Sequence, residues 1–506
     1  RRAVQDHAAA DLRARRASAG LVVALAVVVG LLGAVGWWRG RADAARQQYA
    51  LWTAAGEVQA EAERAVERER AAAEKRSARE AAERNLELAD DLRARFRFDE
   101  AARAIALAHA LAARVEADDL TPRVGRAKAH LATTRALDAA RTRQLVWVPE
   151  KNGLGRYADA SGDFRQAFAD AGFDPTGDDL AAVAARVAAS PVRAELVAGL
   201  DDWASAEPDR ALQARVLEVA RLADPGPWTD RLRDVAVRGD GAAVAALAAE
   251  ADPGALTPAE LVALARVVLA ARLDPAPVLL RAHAAHPTEF RIALHLGDAY
   301  ADRDPRQAAG FYRTARALRP DNFAANNNLG VALMKAGDPA GARDAHLAAA
   351  RIDPASPMAA FNLGRGLAAT GDPLGAAVEF RRATRLLGSY TEAYQEEIRM
   401  WEQAGDLPAA VAAAREAVRC RGGEVALWDR LIDLLDRSGD RAGYLVTLQE
   451  LAARSPGNSR LHARLGGALV DAGRLDDGIA VLRDTVRAAP GDPTAYHFLG
   501  IAHIHR

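Results

Sequence analysis

From Phe290 onward one pattern recurs. The pairs Leu296-Gly297, Leu329-Gly330, Leu363-Gly364, Leu431-Ile432, Leu465-Gly466 and Leu499-Gly500 repeat along the chain, and Glu397-Ile398 fills the remaining slot. Their second members are spaced by 33 residues once and then by 34 five times. Gly337, Gly371, Gly405, Gly439 and Gly473 keep the same step of 34, and the first four are each followed by Asp. A fixed period of this length marks stacked supersecondary units, each too small to bury its own apolar face.

One unit shows the local physics. Leu329, Ala332 and Leu333 lie at helical spacing and predict a first helix around Asn328–Lys335. Gly337-Asp338-Pro339 ends it, because Gly accepts a left-handed cap and Pro favours a new helix start. Ala342, Leu347, Ala349 and Ile352 mark a second helix, closed by Pro354. Gly330, Ala342 and Ala349 are small enough to let the two helices approach closely.

These residues resemble the tetratricopeptide repeat. Leu296, Gly297, Tyr300, Ala308, Tyr312, Ala315 and Pro320 fit its pattern, as do Leu329, Gly330, Leu333, Ala342, Ala349 and Pro354. Leu363, Gly364, Leu367, Ala376, Phe380 and Ala383 follow. The unit at 391–423 is degenerate, keeping Tyr394, Ala410 and Ala417 but placing Gly422 where the Pro falls. Trp428, Leu431, Leu435, Leu448 and Pro456 mark the fifth unit, and Leu465, Gly466, Leu469, Leu482 and Pro490 the sixth. A diverged unit is expected at Pro258–Pro287. The resemblance implies an all-α, right-handed α-α superhelix over 258–506, its last repeat incomplete, with a concave peptide-binding face and no chemistry of its own.

Ahead of the repeats, Arg1–Arg16 is basic, and Ala17–Trp38 carries no charge over 22 residues. At the rise of an α-helix that run spans roughly 33 Å, enough for a bilayer core. Trp37 and Trp38 sit where an interfacial aromatic belt would lie. A signal peptide is the competing reading, disfavoured by the length of the run and by helix continuing past it. The Arg bias across the span puts the N-terminal side in the cytoplasm and the repeats outside it. Ala26, Gly30 and Ala34 form either a helix-pairing seam or ordinary small-residue usage.

Residues 39–95 are charged, Ala-rich and free of Pro, and predict a helical stalk. Leu51, Val58, Ala65, Ala72 and Leu86 lie on a heptad that Arg79 interrupts, so the stalk reads either as a coiled-coil homodimer or as one solvated helix. Residues 96–145 predict a helical hairpin region, with two or three helices expected over Leu86–Leu145, at Leu86–Phe96, Asp99–Ala117 and Pro122–Leu145. Residues 146–163, with Trp147, Pro149, Asn152, Gly153 and Gly155, read as a linker or as a short extended segment crossing the domain. Residues 164–257 predict an irregular helical domain without the period. Arg1 in place of Met, and a stop after the first helix of a seventh unit, lead to the expectation of a longer parent chain.

The order of these segments resembles bacterial membrane-anchored serine/threonine protein kinases. The local carriers are Gly36-Trp37-Trp38-Arg39, Leu145-Val146-Trp147, Phe164–Pro175 and Val197-Ala198-Gly199-Leu200-Asp201-Asp202-Trp203. The resemblance implies a kinase domain before Arg1 and a sensor or docking region after Trp38. ATP and Mg are implied only for such an upstream domain. A membrane-anchored scaffold for envelope or secretion assembly is the alternative.

Within the chain itself no catalytic constellation is present. There is no phosphate loop, no His-Arg-Asp loop and no Asp-Phe-Gly, and Gly153-Leu154-Gly155 is a bare pair of glycines. His283 and His286 lack a third ligand, His503 and His505 have the same standing, and the single Cys420 has no neighbouring base. No cofactor or metal is expected. The near balance of 67 basic against 68 acidic residues gives no footprint for nucleic acid.

A partner would meet the first helices, which line the inner face in the resembled family. Their positions here are Asp298, Asp302, Asn327, Lys335, Arg365, Gln395, Arg399, Glu402, Asp429, Asp433 and Asp436. Asn327, Lys335, Arg365, Gln395, Arg399, Asp429 and Asp433 are the partner-binding candidates. An extended peptide with its acidic part near Arg365 and Arg399 is one reading, and a solvated charged face the other. The family's carboxylate-clamp pattern is not reproduced.

Overall fold

The computed structural model describes residues 2–144, 147–149, 155–157, 160–177 and 179–505. It divides into two compact units, 1–128 and 129–506.

The first unit is built on one helix, α1 (Arg2–Ala94), of 93 residues. No Pro interrupts it, and charged side chains pair along its surface, as in Arg84 with Glu80. Its apolar section is wholly solvent-facing within the chain, and is long and apolar enough to cross a bilayer. Leu51 and Val58 are exposed too, whereas Leu86 is buried by a second helix, α2 (Phe98–Arg114). Ala82, Leu86 and Ala89 of α1 and Ala101, Ile105 and Ala108 of α2 are buried in this hairpin, where the two helices pack together. The separate helix expected over 86–96 is therefore the end of α1. Nothing there breaks helix, and its apolar stripe has a partner in α2. Phe96, at φ 59°, turns the chain.

The third helix, α3 (Thr121–Gln144), leads to two three-residue strands, β1 (Trp147–Pro149) and β2 (Gly155–Tyr157). They pair antiparallel, Trp147 opposite Tyr157, so the described part of the expected linker is a small ladder. Its remaining residues before Ala160, Asn152 and Gly153 among them, lie outside the described residues. Next come α4 (Ser161–Asp170), α5 (Leu180–Ala188), α6 (Arg193–Ala206) and α7 (Arg210–Ala223). Then follow α8 (Pro227–Arg233), α9 (Val235–Gly239), α10 (Gly241–Glu250), α11 (Pro258–Ala270) and α12 (Ala276–Ala285). The core of this region forms around Trp203, stacked on Phe168 at 5.6 Å between ring centroids. Trp203 Nε1 donates to Ser161 Oγ at 3.2 Å and to the Glu207 carboxylate at 3.1 Å, so the indole is buried with its donor satisfied. Gly199 allows close packing here: a Cβ would lie 3.0 Å from Leu137 and 3.2 Å from Phe168, so those side chains would have to give way by a few tenths of an ångström.

The solenoid begins with α13 (Phe290–Tyr300), α14 (Pro305–Leu318), α15 (Phe323–Ala336) and α16 (Pro339–Ile352). It continues through α17 (Pro357–Ala369), α18 (Pro373–Leu386), α19 (Thr391–Gln403) and α20 (Leu407–Cys420). It ends with α21 (Val425–Ser438), α22 (Arg441–Arg454), α23 (Ser459–Asp471), α24 (Leu475–Ala488) and α25 (Pro493–Ile504). Most of the turns share their chemistry. Gly337, Gly371, Gly405, Gly439 and Gly473 all adopt positive φ. Asp338, Asp372, Asp406 and Asp440 each accept a hydrogen bond from the backbone N–H three residues on, at 2.8–2.9 Å. Each thereby satisfies one of the orphan donors that open the second helix.

Within a repeat, the glycine of the first helix receives a large side chain from the second. Tyr312 fills the space over Gly297, His346 that over Gly330, Phe380 that over Gly364 and Leu482 that over Gly466. The degenerate unit reverses the volumes. Ile398 stands in the glycine slot, and Ala414 stands 34 residues after Phe380, both fully buried in one cluster. Glu397 occupies a leucine slot and is also buried. Its carboxylate accepts from Arg381 Nε at 2.7 Å, and Arg381 lies over the Trp401 ring.

Two predictions follow from this packing. Gly364→Ile alone overfills the contact with Phe380, where a Cβ would sit 2.8 Å from the ring, and should destabilise the repeats by about 1–3 kcal/mol. Adding Phe380→Ala copies the Ile398/Ala414 arrangement and should recover part of that loss, read as a coupling term in chemical unfolding. The second concerns His346. Its imidazole is 2 % exposed, and burial, reinforced by Arg365, lowers its pKa to about 3 from 6.5. The unfolded chain therefore takes up a proton below about 6.5 that the folded one refuses until about 3, so stability falls as pH drops through that window. His346→Phe should remove about 2 kcal/mol of the loss between pH 7 and pH 5, measured as the difference in unfolding midpoints between the two proteins.

Candidate functional site

The first helices of successive repeats present a groove, and within it lies a cavity of about 410 Å³. It is lined from α13 to the start of α19. Asp298, Asn327, Lys335, Phe361, Arg365 and Tyr390 span its length. These side chains share a wall because each first helix repeats its phase after one period, so equivalent positions align down the superhelix.

The wall is held by side-chain amides. Asn362 donates to Asn327 at 2.9 Å, Asn327 to Asn328 at 3.2 Å and Asn328 to Asp298 at 3.4 Å. Tyr312, which fills the hole over Gly297, also donates to Asp298 at 2.7 Å. This chain crosses three repeats and fixes the amide orientations along the groove floor. Phe361 and Tyr390, with centroids 4.8 Å apart, supply an apolar section. The Tyr390 hydroxyl is buried without a hydrogen-bond partner, and burial pushes its pKa up.

Charge in the groove is less basic than the sequence pattern suggests. Lys335 is paired with Asp302 at 2.7 Å. Arg399 is paired with Glu396 one turn back on its own helix. Arg365 is exposed, and among the described residues it has no carboxylate partner. It is therefore the cation of this cavity with charge to offer a ligand.

Asn327, Lys335 and Arg365 thus share one cavity, whereas Gln395, Arg399, Asp429 and Asp433 lie outside it. Asp433 faces Arg430 and Arg437, and Glu402 takes the same two arginines, so part of the acidic end is internally neutralised. Phe361, Asn362 and Tyr390 are lining residues that sequence reasoning passed over. Asn328 and Asn362 stand 34 residues apart, and projecting one period from the first finds the second. Among the described residues no cluster of three or more His, Cys, Asp or Glu could hold a metal ion.

Tetratricopeptide repeat family models match residues 294–357 and 437–500. No curated protein matches the sequence. Solved structures resemble it at low identity. MamA from Desulfovibrio magneticus RS-1 is 16% identical, covering 34% of this chain and 98% of its own, with a TM-score of 0.31. A tetratricopeptide repeat protein from Parabacteroides merdae is 12% identical over 49% of this chain and 98% of its own, TM-score 0.32. YrrB, described as a repeat protein with an unusual peptide-binding site, is 15% identical over 44% of this chain and 97% of its own, TM-score 0.27. The period, the capped helical hairpins and the two family matches agree: the C-terminal part of this chain is built of tetratricopeptide repeats.

Proposed function

We propose that this chain is the protein-binding region of a membrane-anchored protein, and that the groove over α13–α19 takes an extended peptide whose acidic group meets Arg365. The observation that carries this reading is the combination of an unpaired guanidinium, an oriented amide row and an apolar section in one cavity. Amides satisfy a peptide backbone, the aromatic section takes an apolar side chain, and the guanidinium offers a bidentate contact to a carboxylate.

The anchor is the apolar section of α1, with the repeats on the extracytoplasmic side. The order of span, stalk, ladder region and repeats supports a finer reading, in which the region serves a serine/threonine protein kinase as its sensor or docking part. Self-association along the exposed Leu51 and Val58 face of α1 is compatible with that role. Kinase motifs encoded upstream of Arg1 in the same gene would support the finer reading, and their absence would remove it.

On an array of extended peptides, wild type should prefer acidic sequences. Arg365→Glu should weaken those by about tenfold or more, the scale of one charge-assisted contact, while Arg399→Glu should change little because Arg399 is already paired. Unchanged acidic preference in Arg365→Glu would remove the groove assignment. Separately, the full chain should remain with the membrane pellet under alkaline extraction, and a chain lacking residues 17–38 should leave it.

A further inference from the structure

The groove cavity carries its charges in a fixed order along the repeats. Asp298 and Asp302 stand at the α13 end, Lys335 and Arg365 follow, and Glu392 lies in the first turn of α19. Three carboxylates thus line it against two cations, so the cavity is no basic patch. Lys335 is taken by Asp302 at 2.7 Å, and Asp298 accepts from Tyr312 at 2.7 Å and from Asn328 at 3.4 Å. Arg365 and Glu392 are the charged lining residues that have no ion-pair partner among the described residues.

A third group in the same wall has hydrogen-bonding capacity to spare. Tyr390 is 1 % exposed, and its hydroxyl has no partner. Burial first, and then the Glu392 carboxylate, hold this phenol above its usual pKa, with Arg365 acting the other way. The hydroxyl therefore keeps its proton and remains a donor. Leaving a buried donor unpaired is costly, and an incoming acceptor recovers that cost. Arg365 is exposed and tied to no carboxylate, so its side chain is free to adjust as a ligand enters.

We propose that the groove selects one isolated carboxylate, bordered by basic or uncharged residues, and that Tyr390 donates its hydroxyl to that carboxylate beside Arg365. This rests on the peptide-binding reading given above. A carboxylate has about four acceptor positions, so it takes a guanidinium and a phenol together, and both bonds are charge-assisted. A second acid next to the first finds no unpaired cation in the cavity and faces Glu392 or Asp298 instead. A basic neighbour finds Glu392 unpaired. The repulsion counts as much as the attraction, because specificity is a difference between partners. Tyr390 and Glu392 are thus specificity-determining residues, and an acidic tract is the wrong ligand.

The test measures binding of terminally blocked peptides to the full chain in detergent at low salt, where exposed charges are least screened. The probes are an alanine-leucine peptide carrying a single Glu, its Gln counterpart, one with Lys beside the Glu, and one with three successive Glu. The single-Glu peptide should bind tighter than the Gln peptide, the Lys-Glu peptide tighter still, and the triple-Glu peptide several-fold more weakly than the single-Glu one. Glu392→Gln should erase the penalty on the triple-Glu peptide. Tyr390→Phe should weaken the single-Glu peptide by about fivefold, the scale of one hydrogen bond, without lowering the unfolding midpoint. Triple Glu binding tightest, or Tyr390→Phe binding like wild type, would overturn the proposal. So would a Tyr390→Phe protein that unfolds earlier, since its hydroxyl would then have a partner inside the fold. If Arg365→Glu loses the single-Glu peptide while these variants do not respond, the groove reading stands and this one falls. If Arg365→Glu changes nothing, or wild type binds none of the peptides, both fall.

Discussion

Asp202 is the point on which the second unit turns. A carboxylate withdrawn from water is costly by itself, and so is each of the three guanidinium groups that donate to it, Arg141 of α3 at 2.5 Å, Arg266 of α11 at 2.8 Å and Arg291 of α13 at 2.6 Å, with Asp202 itself on α6. Together they hold α3, α6, α11 and α13 at one place, because none of the four can move away without stranding a charge. Hydrophobic burial around Trp203, Phe168 and Leu200 supplies the adhesion on one side of this cluster, and Leu261, Ile292 and Leu296 on the other. The charges decide which faces adhere.

Beyond that joint the solenoid propagates by a simpler rule. Four repeats set a glycine of the first helix under a large side chain of the second, and most of the turns between them combine a left-handed glycine with an aspartate cap. The contact does not fix the identity of either residue. That is why a tyrosine, a histidine, a phenylalanine and a leucine all serve over glycine, and why isoleucine over alanine serves as well. Interiors this densely packed tolerate exchanged volumes far better than added ones.

The parts of the fold that were readable in the sequence are those governed by local chemistry. Gly337-Asp338-Pro339 and its counterparts place helix ends to within a residue or two, because cap and turn act within a few positions. What could not be read were partners across sequence. Asp201-Asp202 stood out as a motif, yet Arg141, Arg266 and Arg291 lie 61 to 89 residues from Asp202 and carry no local mark. Glu397 looked like decay of the repeat and is a buried ion-pair member whose partner sits in the preceding unit. In the groove, charged positions were found by phase alone, which could not show that Lys335 and Arg399 are already neutralised. Phe361 and Tyr390 were hidden because an apolar residue at that phase reads as core.

The unbroken run of α1 has a mechanical consequence. An α-helix advances by about 1.5 Å and turns by about 100° with every residue, so one that continues for 93 residues carries azimuth as well as distance from end to end. The stripe formed by Ala82, Leu86 and Ala89 therefore keeps a set compass bearing relative to the side chains of Ala17–Trp38. Excising a length near a whole number of turns shortens the rod and preserves the bearing, whereas excising two residues swings the far stripe round by more than half a circle. A rod of this kind transmits twist.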